Sequence, residues 1–311
     1  MEYQMTASIV IPTHNRRDLL CRTLDALCNQ TALSSLKNVI VVSDGSTDST
    51  FEIIEQFLNR LPIIYLERAK CGVASARNAG IDKVTSEIVI LLDDDIVPSI
   101  NFVAEHINFH RKMPGFEIAL LGYVTWHPDL HVTAFMRWYG EYGALFAYSR
   151  LKEGRRIDAR FLYSCNVSFK RSFLLAAGLF DETLTVLEDY ELGYRLTQRG
   201  MHLFFCKAAL GYHYQTFTFH QSCERLERYS SGVDSFLATS AGKCLLRKRQ
   251  SFLFRSLERL VKMTAPILSL CLPVVDSDIK LPRFVYRALY WYYAAYLSFW
   301  ARANTHLLDV D

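Results

Sequence analysis

Short apolar runs alternate along the first third of the chain with stretches whose apolar residues recur every three or four positions. Ser8-Ile9-Val10-Ile11-Pro12 reads as a strand closed by proline, and Leu20, Leu24 and Leu27 then repeat at helical spacing. Val39 to Val42 is a second buried strand, ending in the polar turn Ser43-Asp44-Gly45-Ser46-Thr47-Asp48. A helix follows with Phe51, Ile54 and Leu58 on one face, and Ile63 to Leu66 is a third strand. Gly72 to Val84 is mostly small residues and predicts a closely packed helix. Ile88 to Leu92 is a β-branched run with no polar interruption, the pattern of a strand buried on both faces. Strand–helix alternation with short connections predicts a parallel, doubly wound sheet.

Past Pro98 the alternation loosens. Phe102 to His110 suggests a helix, Ile118 to Trp126 a strand, and Leu130 to Arg160 has no clear period. Ser164 to Phe169 reads as a strand, Arg171 to Ala177 as a short helix stopped by Gly178, and Leu203 to Cys206 as a strand. Glu188 to Arg199 is a helix with acids in its first turn and Gly200 after it. From about Glu224 the chain reads as helical, with Leu253, Leu257, Leu260 and Val261 opposite Arg255, Arg259 and Lys262. Phe284 to Ala301 is dense in aromatics and would be roughly 27 Å long as a helix. With Arg287 inside it, this stretch suits an interfacial helix or a helical hairpin better than a membrane span.

Composition adds two constraints. The net charge of +3 hides a segment, Lys243 to Lys262, that carries +6 and leaves −3 for the rest. The basic character is local, which argues against a nucleic-acid groove and for an anionic surface against one segment. The 8 cysteines are irregularly spaced without a CxxC, and Met1 to Ala7 shows no secretory pattern. Both features lead to an expected cytoplasmic location, including the cytoplasmic face of a membrane.

The candidate chemistry begins where the Ile88–Leu92 run meets Asp93-Asp94-Asp95. Ligands of open α/β sheets bind beyond the carboxyl ends of such strands. Three adjacent carboxylates repel unless a cation neutralises them, and oxygen donors suit Mg²⁺ or Mn²⁺. The plain alternative is a solvated acidic turn. Asp44 ends a strand where it can accept from a base imide or ribose hydroxyl, or simply shape its Asx turn. Arg77 can neutralise a phosphate, or lie on the surface. Glu188-Asp189 opens a helix, where acids are stabilised anyway; the other reading is a general base for a hydroxyl acceptor. His213 follows a late strand and offers a nitrogen to the metal, with His220 as a weaker substitute; packing among aromatics is the alternative. GxxxxGK[ST], GxGxxG after the first strand and GxSxG are all absent from the sequence, which removes the corresponding phosphate-binding, dinucleotide and hydrolase signatures.

The order of these motifs resembles glycosyltransferase family 2. The matching stretches are Ser8–Arg16, Val42–Asp48, Gly72–Gly80 (GVASARNAG), Leu91–Asp95, Gly178–Asp181 and Glu188–Arg195. The resemblance spans residues 8 to about 215. It implies a GT-A type fold: a doubly wound mixed α/β sheet with a helical C-terminal extension. It further implies a metal-dependent, inverting transfer of one sugar from a nucleotide-diphosphate sugar, with UDP the first choice, to a glycan, lipid-linked or small-molecule acceptor. By the same resemblance Pro12, Thr13, Asp44, Arg77 and Asp94 bind the nucleotide. Asn166 lines the sugar or acceptor pocket. Asp93 and Asp95 are the Asp-x-Asp pair that holds Mn²⁺ or Mg²⁺, to which His213, from its place after the late strand, is the expected third ligand. Asp189 is the base and Glu188 shapes the site beside it. Residues 1–220 form the catalytic domain, with its nucleotide half at about 1–98 and its acceptor half at about 99–220. Residues 221–311 contact a membrane peripherally or a second copy of the chain. Two departures bear on this. Ser43 stands where the family often has an aspartate, and Gln221-Ser-Cys-Glu-Arg225 is not the QxxRW of processive members, so a single addition is expected. A retaining transferase, a nucleotidyltransferase and a binding module without turnover are the alternatives.

Overall fold

The computed structural model describes residues 5–247, 275–276 and 281–296. The expectations for Leu253 to Lys262, and for the end of the aromatic stretch beyond residue 296, lie outside the described residues. By the density of internal contacts the chain divides into two compact units, one of Met1–Pro128 with Leu151–Gln215, the other of Asp129–Arg150 with Thr216–Asp311.

The first unit is built on a 9-stranded mixed sheet. In chain order it contains β1 (Ala7–Thr13), α1 (Arg17–Cys28), β2 (Leu36–Asp44), α2 (Thr50–Glu55), β3 (Ile63–Arg68), α3 (Val73–Lys83), β4 (Ile88–Leu92), β5 (Ile96–Pro98), α4 (Phe102–Lys112) and β6 (Ile118–Trp126). The chain leaves this unit at α5 (Ala134–Glu141) and returns for β7 (Arg156–Ile157), β8 (Asn166–Lys170), α6 (Arg171–Ala177), α7 (Glu188–Gln198) and β9 (His202–His213). The strand order is β3-β2-β1-β4-β8-β6-β9-β5, with β7 on β9. β3, β2, β1 and β4 are parallel, so the ends of β1, β2 and β4 lie at one edge. β8 pairs antiparallel with both β4 and β6. The fold is the mixed α/β arrangement that the resemblance implies.

Burial explains the strands. Every residue of β1 and β4 is buried, as a strand covered on both faces requires. β3 is an edge strand and only half-buried. α3 approaches the sheet closely because it carries no bulk there. A Cβ on Gly80 would lie 2.4 Å from Val10 Cγ1 and 3.1 Å from Val42 Cγ2. α2 is shorter than the pattern suggested and ends at Glu55; of its expected apolar face only Ile54 is buried, while Phe51 and Leu58 are exposed. β9 is longer than expected, because Lys207 to Gly211 interrupts the apolar period yet continues as strand past a register shift opposite Gly122 and Tyr123.

The second unit is helical. It contains α5, α8 (Phe219–Ala238), α9 (Ser240–Arg247) and α10 (Arg283–Tyr296). A capping box, Thr218 with Gln221, starts α8, and Asp276 accepts from the amides of Phe219 and His220. Phe135, Trp138 and Tyr139 of α5 meet Tyr286 and Tyr290 of α10 and Phe219 of α8 at ring-centroid distances from 5.5 to 6.0 Å. Among the described residues no helix is long and apolar enough to cross a membrane.

Candidate active site

Two chain turns deliver the acidic residues at the sheet edge. Asp93 to Asp95 follow β4, and the short β5 that comes next pairs with β9, so Ile96 opposes His213. This pairing sets His213 Nε2 3.7 Å from Asp95 Oδ2. Asp94 is held from several sides: Thr13 Oγ1 donates to its Oδ2 at 2.7 Å, and Thr23 Oγ1 to its carbonyl at 2.9 Å. Arg16 Nη1 donates to Asp94 Oδ1 at 3.2 Å and to Asp95 Oδ2 at 2.8 Å. Burial pushes the Asp94 carboxyl up to about 7, and the neighbouring Asp95 charge adds to it. Burial works against the Arg16 charge, but Asp94 and Asp95 outweigh it and raise its pKa.

Asp93 faces elsewhere. Its Oδ1 accepts from Arg77 Nη2 at 2.9 Å, and its amide donates to the Cys165 carbonyl at 3.3 Å. The other arm of Arg77, Nη1, donates to Glu188 Oε1 at 3.1 Å and lies 3.8 Å from Asp189 Oδ1. Arg77 is buried, and burial opposes its charge; Asp93, Asp189 and Glu188 together overcome this and raise its pKa. The Ser164 amide donates to Asp189 Oδ2 at 3.1 Å. Consecutive residues of one segment, Ser164 and Cys165, therefore touch Asp189 and Asp93 respectively. Burial raises the Asp189 carboxyl to about 7; Glu188 adds to the rise, while Arg77 and Ser164 oppose it.

The sequence Ala76-Arg77-Asn78-Ala79-Gly80 divides this work by position. Gly80 admits the close helix–sheet approach, Arg77 reaches the carboxylates, and Asn78 pins the loop that leads to α7. Asn78 Nδ2 donates to the Phe180 carbonyl and its Oδ1 accepts from the Phe180 amide, both at 2.9 Å. Leu187, just before Glu188, holds a left-handed φ of 60°, an uncommon conformation for a bulky residue. The base-candidate pair thus begins α7 from a strained turn. Arg195 steadies that helix through Glu191 at 2.8 Å and the carbonyls of Ala177, Gly178 and Leu179.

Asp44 sits at the end of β2, where its Oδ1 accepts from the Cys71 amide at 2.7 Å and its Oδ2 from the Gly72 amide at 3.0 Å. Gly72, at φ 96°, is the residue before α3, so Asp44 also fixes the entrance to the helix that carries Arg77. Pro12 is buried one residue before Thr13.

The structure therefore gathers Thr13, Asp94, Asp95 and His213 with Arg16, and Asp93, Glu188 and Asp189 with Arg77, two clusters that adjoin through the consecutive Asp93 and Asp94. Asn166 is not at its surface. It is fully buried; Nδ2 donates to the Ala209 and Tyr123 carbonyls at 2.9 and 3.2 Å, and Oδ1 pairs with His106 Nε2 at 3.0 Å. Its side chain is occupied in tying β8 to β6 and β9.

Asp95 and His213 offer an oxygen and a nitrogen 3.7 Å apart, close enough to share one divalent ion whose other positions come from phosphate oxygens and water. Among the described residues no group of three or more His, Cys, Asp or Glu side chains is placed to hold a metal ion, so Asp95 and His213 would need ligands from the donor phosphates and water.

Comparison with known proteins decides the family. Residues 8–175 match glycosyl transferase family 2. The chain belongs to this family. Relatives of the family 2 chain include validoxylamine A glucosyltransferase of Streptomyces hygroscopicus subsp. jinggangensis, 33% identical over 62% of this chain and 52% of that protein. Chondroitin synthase of Escherichia coli is 26% identical over 91% of this chain and 44% of that protein. The chain spans about half the length of the curated relatives it matches. Solved structures share the fold. Mannosyltransferase PcManGT from Pyrobaculum calidifontis, in complex with GDP-Man and Mn²⁺, superposes with a TM-score of 0.61 at 18% identity, covering 97% of this chain and 89% of that one. S. aureus TarS 1–349 in complex with UDP gives 0.55 at 15%, covering 95% and 91%. These GT-A neighbours establish the fold of the family 2 chain.

Sequence reasoning gave no role to Arg16, Asn78 or the Ser164–Cys165 backbone. Arg16 carried a signal, as the only cation in the first motif apart from its neighbour Arg17, facing a sequence with three consecutive aspartates. Asn78 carried one in the same motif as Arg77. The Ser164 and Cys165 contacts use main-chain groups, which no side-chain pattern reveals.

Proposed function

We propose that this chain transfers one sugar from a nucleotide-diphosphate sugar to a hydroxyl of a glycan, lipid-linked or small-molecule acceptor, with inversion. The observation that carries the reading is Arg77 joining Asp93 to Glu188 and Asp189. A donor-side carboxylate and an acceptor-side carboxylate pair are thereby held in one network, as a single displacement requires. Asp189 is the general base. The acceptor hydroxyl gives its proton to Asp189, its oxygen bonds to the sugar's anomeric carbon, and the bond from that carbon to the diphosphate breaks. A base titrating near neutral pH is well matched to this task. Glu188 keeps the Asp189 carboxyl high and borders the sugar site. Thr13, Pro12, Asp44 and Asp94 form the nucleotide side.

Asp95 and His213, with Asp93 alongside, are the residues that would hold Mn²⁺ or Mg²⁺. A bound ion would offset charge on the departing diphosphate. UDP is the first donor nucleotide to try, because TarS is seen with UDP and UDP-GlcNAc; GDP is the second, from PcManGT. In this reading residues 1–98 serve the donor, 99–220 the acceptor, and 221–311 a membrane surface at the cytoplasmic face or a second copy.

The test is thermal unfolding with UDP, GDP, dTDP and CDP, each with and without Mn²⁺, followed by NMR of the product's anomeric proton with the donor that binds. A ligand at about 100 times its Kd should stabilise the fold by roughly 2.7 kcal/mol. Retained anomeric configuration, or full turnover by Asp189→Asn, would sink the assignment of Asp189 as base.

A further inference from the structure

Four polar side chains, His106 and His110 of α4 with Asn166 and Ser168 of β8, are fully buried next to the site. Their hydrogens have one consistent assignment. Asn166 Nδ2 donates to the Ala209 and Tyr123 carbonyls, so its Oδ1 is the acceptor, and His106 Nε2 carries the hydrogen that joins them at 3.0 Å. Burial lowers the His106 pKa to about 4. The ring is therefore neutral, and its Nδ1 accepts from Ser168 Oγ at 2.8 Å. Ser168 Oγ in turn accepts from His110 Nε2 at 2.9 Å. Burial, with His106 and Lys170 adding to it, lowers His110 to about 3, so this ring is neutral too. Its Nδ1 is buried with no hydrogen-bond partner among the described residues. The result is a directed chain from His110 through Ser168 and His106 to Asn166, with one donor and one acceptor at each step.

The chain ends against the carboxylates. The Asn166 amide donates to the Tyr163 carbonyl at 3.3 Å and closes a tight turn with Ser164 and Cys165 as its two central residues. The main chain of these two residues touches the site: the Ser164 amide donates to Asp189 Oδ2 at 3.1 Å, and the Cys165 carbonyl accepts from the Asp93 amide at 3.3 Å. Asn166 also pairs with Leu92, the residue before Asp93. Its side chain has little room to turn away, because a Cβ on Gly122 would lie 2.3 Å from Nδ2. Asn166 thus fixes the exit of the turn, and His106 gives it the one hydrogen bond that comes from a helix and not from the sheet.

We infer that His106 is a positioning residue for the transfer, an inference that rests on the reading of Asp189 as the base: through Asn166 it sets the Ser164–Cys165 turn, and the turn presents its amide to Asp189. The charged groups that face Asp189 are Glu188 on its own helix and Arg77 from α3, and the turn adds the Ser164 amide and the Cys165 thiol. An amide that donates to a carboxylate favours its charged form. Loosening the turn therefore raises the pH at which Asp189 ionises. A general loosening of the fold does the opposite, because it lets water in and relieves the burial that raises this carboxyl.

The experiment is a carbon-13 NMR titration of the aspartate carboxyls in the full chain, without substrate, on wild type, H106F and H106Q. The Asp189 resonance is identified by its loss in D189N, and circular dichroism checks that each variant is folded. H106F keeps a ring without a donor, and H106Q keeps a donor where Nε2 lies. The wild-type midpoint is expected at about 7. In H106F it should rise by about one pH unit, the scale of one lost charge-assisted hydrogen bond. H106Q should recover most of that shift. An unchanged or lowered midpoint in a folded H106F overturns the proposal. Should H106F fail to fold, S168A removes the hydroxyl that orients the His106 ring; a raised midpoint there supports the proposal, and an unchanged or lowered one overturns it. The pH profile of kcat/KM then separates the two readings. If the midpoint rises in H106F and the kinetic limb stays in place, His106 positions Asp189 and the assignment of Asp189 as base falls.

Discussion

Arg77 and Glu188 are 111 residues apart in sequence, yet Arg77 Nη1 donates to Glu188 Oε1 at 3.1 Å. The same guanidinium donates through Nη2 to Asp93 at 2.9 Å. One buried side chain thus fixes the spacing between the turn after β4 and the first turn of α7. It cannot be replaced by a point charge. In Arg77→Lys the ammonium reaches one carboxylate at a time, and the two sides lose their register. We expect kcat/KM to fall about 100-fold, the cost of misplacing reacting groups by roughly 1 Å. Steady-state kinetics with the identified donor measures it, with circular dichroism as a check on folding.

The Asp189 carboxyl is raised to about 7, by burial first and by Glu188 second. The base works as a carboxylate, so kcat/KM should climb with pH through about 7 and level off above it. Glu188→Gln removes a like charge and should move that rise to lower pH. Arg77→Gln removes an opposite charge and should move it to higher pH. Profiles that coincide for the three proteins would mean that another group governs the limb.

Asp189→Asn separates chemistry from stability. Activity should fall by about 10²–10⁴-fold with loss of the base. The fold should not suffer in the same way. A carboxyl whose folded pKa is raised stabilises the native state below the unfolded carboxyl's pKa, and this contribution disappears as pH rises through about 7. At pH 8 the buried charge is unfavourable. The amide should therefore match or exceed the wild-type Tm there, read by calorimetry in the absence of ligands.

Asp95 and His213 meet only because β5 pairs with β9. Chelating divalent ions, or replacing either residue by alanine, should abolish any Mn²⁺-dependent part of the nucleotide-induced Tm shift. The shift that nucleotide gives without metal should persist, because Thr13 and Asp44 are untouched. A His213→Ala protein with an unchanged Mn²⁺ effect would remove the histidine from the ion site.

Gly122 marks where β6 and β9 change register beside Asn166. A Cβ there would lie 2.3 Å from Asn166 Nδ2 and 2.4 Å from the Ala209 carbonyl. Gly122→Ala should destabilise the fold by about 1–3 kcal/mol, the usual range for overpacking. Denaturant unfolding measures it. Wild-type stability would show that the buried Asn166 contacts can relax.

Much of the donor half was legible in the sequence because its signals are local. β1, β2 and β4 carry continuous apolar runs, and the chain there alternates strand and helix with short connections. The acids that open α7 were visible as a helix start, and the ordered motifs carried the family. The reading was weaker where local pattern and tertiary role part company. The long β9 strand was seen only over Leu203 to Cys206, since Lys207 to Gly211 lacks the apolar period that its pairing with β6 makes unnecessary. Residues 134–141 showed no clear period because α5 buries aromatics against other helices of its unit, where ring contacts and not a simple stripe decide burial.

The sequence by itself determined the alternation of elements, the family, and the residue types at the edge of the sheet, because these follow from periodicity and from motifs a few residues long. Tertiary structure alone decided which charges meet. It turned Asp93 to Arg77 and Asp95 to Arg16, and took Asn166 out of the surface and into the sheet. The physical reason is range. Backbone preference and hydrophobic period act over a few residues, whereas the pairing of buried charges depends on side chains brought together across more than a hundred.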